Sequence, residues 1–175
     1  MLDGQNGPRR LQSGVWITVS QAGAELVRDG IGLVLEDAPA VTGAIAARLL
    51  AGTGAEELSA CGAVDGDLLL GELAGAGLLT GADARFQPPV VEDPAMRLQD
   101  DVTCSASHTG LMVTHDGWCA GGAMPPAATA RILAQLFEGF SAASLAAAAG
   151  DRAGRGLFER LGALDLLQSA STIDV

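Results

Sequence analysis

The chain of 175 residues has no lysine and no tyrosine, and its four Phe and two Trp make aromatics only 3% of it. Its basic charge is ten arginines against 21 acids, a net charge of −11 with an isoelectric point near 4.3. A protein that neutralises phosphates needs clustered Lys and Arg, so this balance argues against nucleic-acid binding and against anionic membrane surfaces. No apolar run approaches the roughly 20 residues of a spanning helix. "MLDGQNGPRRLQSG" carries Arg9 and Arg10 with no apolar stretch behind them, so no secretory signal is expected. Three cysteines, Cys61, Cys104 and Cys119, are an odd count at uneven spacing. That fits no disulfide framework and suits a reducing, cytoplasmic setting. No Gly-rich stretch, "GAGLLTGAD" included, matches G-x-G-x-x-G between a strand and a helix or a P-loop ending in Lys, so phosphate chemistry is not expected.

What the chain does contain is itself, twice. "RDGIGLVLEDAP" (Arg28 to Pro39) is matched 87 positions later by "HDGWCAGGAMPP" (His115 to Pro126). The same offset carries Ile45 to Ile132, Leu49 to Leu136, Gly52 to Gly139 and Leu58 to Leu145. After one inserted residue, Leu69, Leu73 and Leu78 match Leu157, Leu161 and Leu166. The shared positions are apolar and turn residues, the ones that determine a fold, so the repeat reads as a duplication. It sets the expected boundaries: a first domain over 14–80, a linker over 81–101 marked by three prolines and mixed charge, and a second domain over 102–168.

Within the first copy, "VWITV", "AELVR" and "IGLVLE" are β-prone runs, and Asp29-Gly30 between the last two is a hairpin turn signal. Pro39 can open a helix in which Val41, Ile45 and Leu49 share one face, ending at Gly52. Thr53 with Glu56 forms a capping-box pattern for a second short helix, and "DGDLLLGELAGAG" supplies a third. The second copy repeats the order, with Ser141 placed to cap its second helix. The expected fold is α+β: two tandem winged-helix domains, each a small antiparallel three-stranded sheet followed by three short helices.

The hairpin, then "ARLLAGT-GAEEL", then "LLLGELAGAGLL", resembles the RiPP recognition element, the PqqD-like winged helix that binds leader peptides of ribosomally made, post-translationally modified peptides. The tandem arrangement is similar to the paired peptide-clamp domains that precede the flavin domain of azoline (thiazole/oxazole) dehydrogenases. The chain ends where that flavin domain would begin, so the resemblance implies a non-enzymatic, stand-alone clamp without a cofactor. Its implied partners are a leader peptide and a separate modifying enzyme, such as a cyclodehydratase or flavin dehydrogenase, with a homodimer possible. The resemblance also implies that the peptide adds as a strand to the third strand of the sheet, beside the third helix. Main-chain hydrogen bonds would give affinity and pockets for alternate side chains specificity. In the first copy this places the site at Ile31, Gly32, Leu33, Val34 and Leu35, with Leu68 and Glu72 on a helix expected over Asp67 to Ala76. The second copy's third strand, "WCAGGA", is rich in Gly and poor in branched residues, so it is expected to bind peptide less well, or to dock a partner instead.

Three rival readings attach to particular residues. Cys104, His108, His115 and Cys119 are metal-ligating types, but on a strand residues four apart lie roughly 13 Å from each other, too far to converge on one ion. A Cys–His nucleophilic pair lacks a visible orienting residue. A winged-helix transcriptional regulator or an adaptor subunit is allowed by the fold. However, the first copy's third helix carries acids and no base, the reverse of a DNA-reading helix, while Arg152, Arg155 and Arg160 of the second are a partial exception.

Overall fold

A computed structural model describes residues 7–62 and 64–170, and the duplication is visible in its element order. The first copy contributes strands β1 (Arg9–Leu11), β2 (Trp16–Ser20), β3 (Gly23–Arg28) and β4 (Ile31–Leu35). Helices α1 (Pro39–Ala51), α2 (Ala55–Ser59) and α3 (Gly66–Gly75) and strand β5 (Leu79–Gly81) complete it. The second repeats the series as β6 (Met96–Leu98), β7 (Thr103–Ser107), β8 (Gly110–His115), β9 (Trp118–Ala123), α4 (Pro126–Leu136), α5 (Ala142–Ala149), α6 (Asp151–Ala163) and β10 (Leu167–Ser169). Among the described residues the fold is α+β, with antiparallel sheets and six helices.

Both hairpins turn where Asp-Gly predicts. Asp29 and Gly30 have φ of 50° and 81°, and Asp116 and Gly117 have 46° and 83°. Two successive positive φ values are the geometry whose twist matches paired strands, and Asp tolerates the first while Gly takes the second without strain.

The two sets of three strands do not form separate sheets. They join along β2 and β7 into one six-stranded antiparallel sheet in the order β4-β3-β2-β7-β8-β9. At the centre of the seam Thr18 lies opposite Ser105, its own repeat equivalent 87 positions on, and their hydroxyls are 3.1 Å apart. Antiparallel pairing of equivalent residues places a pseudo-two-fold axis through that pair, so the chain is built like a symmetric dimer of its own halves. On the helix side of the sheet α1 packs against α4, with Ile45, Leu49, Ile132 and Leu136 all buried. Gly43 allows the close approach, since a Cβ there would lie 3.2 Å from the Phe137 ring. One apolar core runs through both copies, and Phe140 meets Phe158 edge-on at 6.0 Å within the second.

The structure corrects the expected layout in three places. The segment 81–101, expected as linker, contains β6, which pairs with β10 as β1 pairs with β5. Strands of three residues are too short to show a period-two pattern. Thr53 does not cap α2. It is drawn into a buried bridge with Arg9, and Gly54 occupies the cap, its N–H donating to Glu57 Oε2 at 3.1 Å. Ser141 does cap α5, accepting from the Ser144 N–H at 3.0 Å. Finally, the two three-stranded sheets are halves of one, because β2 and β7 each carry a second set of unpaired backbone groups that the other satisfies.

Candidate functional site

Joining the copies through β2 and β7 leaves β4 and β9, the third strand of each copy, at the two ends of the sheet. Among the described residues each pairs on one side only, so each presents a row of backbone N–H and C=O groups on the other.

At the first edge the expected residues fall as follows. Leu33 and Leu35 lie opposite Leu26 and Ala24, both buried, so they face the helices and pack half-buried on the core. Ile31 shares that face but is 49% exposed near the turn. Gly32 and Val34 lie opposite Val27 and Glu25 on the outer face, and Val34 is 65% exposed. Leu68 and Glu72, four residues apart on α3, are both exposed, Leu68 at 61%. Asp65 caps the start of the helix, its carboxylate accepting from the Leu68 N–H at 3.1 Å. Strand and helix are not brought together closely, since α3 packs chiefly on α2 and β5.

At the second edge α6 does pack against β9, and two grooves flank the strand. One, of about 670 Å³, runs between Gly121 to Met124 and the α6 residues Arg152, Gly156, Leu157 and Arg160. The other, of about 420 Å³, includes Trp16, Met112 and Cys119. Trp16 pairs with Val27, and Met112 continues the row through Ser105 and Thr18, which puts these side chains on the outer face of the sheet. Gly121, Gly122, Ala123 and Arg160 border both grooves, so the two meet around the edge of β9.

Repeat equivalence explains why the helix-side groove opens here. Gly121, Gly122 and Gly156 stand where the first copy has Val34, Leu35 and Leu68. A Cβ on Gly122 or Gly156 would meet nothing within 4 Å, so these positions border open space. Gly121 has φ of 136°, and a Cβ there would approach the Leu111 carbonyl oxygen to 2.1 Å, so only glycine fits the local pairing. Reading "WCAGGA" as a weak strand misses this. The available signal was the loss of two side chains, Leu35 and Leu68 of the first copy, at the matched positions Gly122 on the strand and Gly156 on the helix.

The cysteines and histidines take separate places. Cys104 is fully buried opposite Val113, and burial pushes its thiol up to about 12. Cys119 is exposed and opposite Thr114, on the outer face. His108 Nε2 lies 2.7 Å from the Leu11 carbonyl oxygen, tying the β7–β8 turn to the first copy. His115 Nε2 lies 2.8 Å from Asp101 Oδ2, with Asp116 Oδ2 3.5 Å from its Nδ1. The hydrogen bond between them raises the His115 pKa above its ordinary 6.5 and lowers that of Asp101 below 3.8. Among the described residues no three His, Cys, Asp or Glu side chains gather as a metal site, and no helix is long and apolar enough to cross a membrane. No protein-family model matches the chain, and neither a curated protein nor a solved structure is significantly similar to it.

Proposed function

We propose that this is a cytoplasmic, non-catalytic tandem winged-helix clamp. It captures the leader region of a ribosomally made precursor peptide and presents it to a separate modifying enzyme, such as an azole-forming cyclodehydratase or its flavin dehydrogenase. The observation that carries the reading is the position of β4 and β9: the third strand of each copy is an edge strand, available for an added strand on the side away from the sheet. The exposed side chain of Val34 supports the first copy as a binder, because a peptide laid along β4 would cover apolar area now in water; Leu68 is exposed on α3, which packs chiefly on α2 and β5. Ile31 is exposed at the start of the same strand, and Glu72 is exposed one turn from Leu68 on α3.

Calorimetry with the precursor peptide encoded beside the gene tests the reading. Binding is expected, weakened at least about tenfold by Val34→Asp or Leu68→Asp if the first edge is used. A folded protein with no affinity for the leader contradicts it. Retardation of DNA at physiological salt would assign the fold to a transcriptional regulator instead.

A further inference from the structure

Helices α1, α4 and α6 pack on one face of the six-stranded sheet, where Ile17, Leu26, Cys104 and Val113 join their core. The opposite face carries no helix among the described residues. Strand register runs Val34, Glu25, Thr18, Ser105, Met112 and Gly121 across its middle, with Val27, Trp16 and Gly110 in the next row. A sheet face left to water is ordinarily polar. Here Trp16, Val27, Val34 and Met112 are all exposed on it. Charge is scarce: Glu25 is the one charged strand residue on this face among the described residues, in a chain that is 18% charged. Aromatic and Met side chains with little charge are the composition of a protein interface core. The bulk is also uneven. Trp16, Val27 and Val34 belong to the first copy's half, whereas the second copy's half is hollowed at Gly110 and Gly121, part of the groove of about 420 Å³ beside Met112.

We propose that this face is the interface of a homodimer, two sheets packed face to face about a two-fold axis that runs along the strands over the β2–β7 seam. That axis lays the first copy's half of each sheet on the second copy's half of the other. Val27 and Val34 then meet the partner's Gly110 and the partner's Gly121, bulk against hollow, at both ends of the interface. The two Trp16 indoles flank the axis one strand spacing apart, roughly 4.8 Å, within the range of an aromatic pair. Glu25 selects this axis. A two-fold across the strands would set Glu25 against its own copy, whereas the axis along the strands sets it against the partner's Met112. The two carboxylates then stand at least roughly 14 Å apart, beyond a Debye length at physiological salt. The occupant is a second copy because the two halves of this face complement each other, and because two chains of net charge −11 approach closely only where neither carries much charge. Size agrees. Six strands about 4.8 Å apart and five residues of about 3.3 Å give roughly 500 Å² per copy, about 1,000 Å² for the pair, where specific interfaces begin. Face packing leaves the backbone edges of β4 and β9 free, so dimerisation and peptide capture stand or fall separately.

Sedimentation equilibrium of the full chain at tens of micromolar tests the proposal, and a species of twice 17.6 kDa is expected. Trp16→Glu and Met112→Glu should each raise the dissociation constant at least about tenfold, with the far-ultraviolet circular dichroism unchanged because both side chains are exposed in the single chain. Charge reads the register. Met112→Glu sets a second carboxylate against the partner's Glu25, so adding Glu25→Arg to it should restore the dimer. A monomer under the same conditions overturns the inference. So does a dimer indifferent to Trp16→Glu and Met112→Glu, which would assemble through another surface. Dissociation by Met112→Glu that Glu25→Arg fails to rescue overturns packing about this axis. If the chain is monomeric, binds the modifying enzyme and loses it on Trp16→Glu, the face belongs to that enzyme and the homodimer is wrong.

Discussion

At the scale of single residues, the three cysteines show how one side-chain type takes different chemistry from its surroundings. Cys104 is shielded from water on the helix face of β7, and its pKa near 12 keeps it a thiol; Cys61 is half-buried and also raised, mainly by desolvation. The thiolate is the reactive form, so a disulfide reagent added to the native protein is expected to modify Cys119 first and Cys104 only on unfolding. Rapid modification of Cys104 in the native state would contradict its placement. The His115–Asp101 pair adds a pH dependence whose sign is determined by the two shifts. A raised His pKa gives stability that is complete below 6.5 and lost as pH climbs through the folded value. A lowered Asp pKa gives stability present above 3.8 and lost as pH falls through the folded value. The pair thus contributes most between 3.8 and 6.5. NMR titration should place the His115 midpoint above 6.5, and Asp101→Asn should bring it down.

At the scale of elements, the hairpins and helices were legible because their signals are local. Asp-Gly encodes a turn, Pro39 and Pro126 open α1 and α4, and Ile45 and Leu49 share a face at helical spacing. What escaped was decided by contacts between distant segments. Thr53 satisfies a sequence pattern for a cap, yet the backbone of Arg9, 44 residues earlier in the chain, takes it for a bridge. β1 and β6 are ordered by β5 and β10, and nothing in Arg9–Leu11 alone announces a strand. The close pairing of β8 with β9 depends in the same way on a distant fit: a Cβ on Gly110 would reach 2.3 Å from the Gly122 carbonyl oxygen, at φ of 154°. Gly110→Ala is expected to cost about 1–3 kcal/mol in chemical denaturation. Gly122→Ala, facing open space, should cost far less. Equal losses for the two would contradict the pairing geometry.

At the scale of the whole molecule, the repeat was legible and its consequence was not. Matching apolar positions show that two copies exist, but not that β2 and β7 zip them into one sheet, because edge pairing is written in backbone groups common to every sequence. A fragment ending at Glu92 exposes the β2 edge and the α1 face that α4 covers. It should sediment as a dimer or larger species; a monodisperse monomer that unfolds cooperatively would contradict the shared core. The sheet's architecture also determines where a partner strand can go. With the centre closed by the pairing of Thr18 with Ser105, the edges left are β4 and β9, which flank opposite ends of the same sheet. The most direct test of peptide capture is amide hydrogen exchange, followed residue by residue by NMR, with and without the encoded precursor peptide. Strand addition predicts new protection at alternate amides of β4 or β9, with β3 and β8 unchanged. Binding that protects helix residues alone and leaves both edge strands exchanging as before would contradict it.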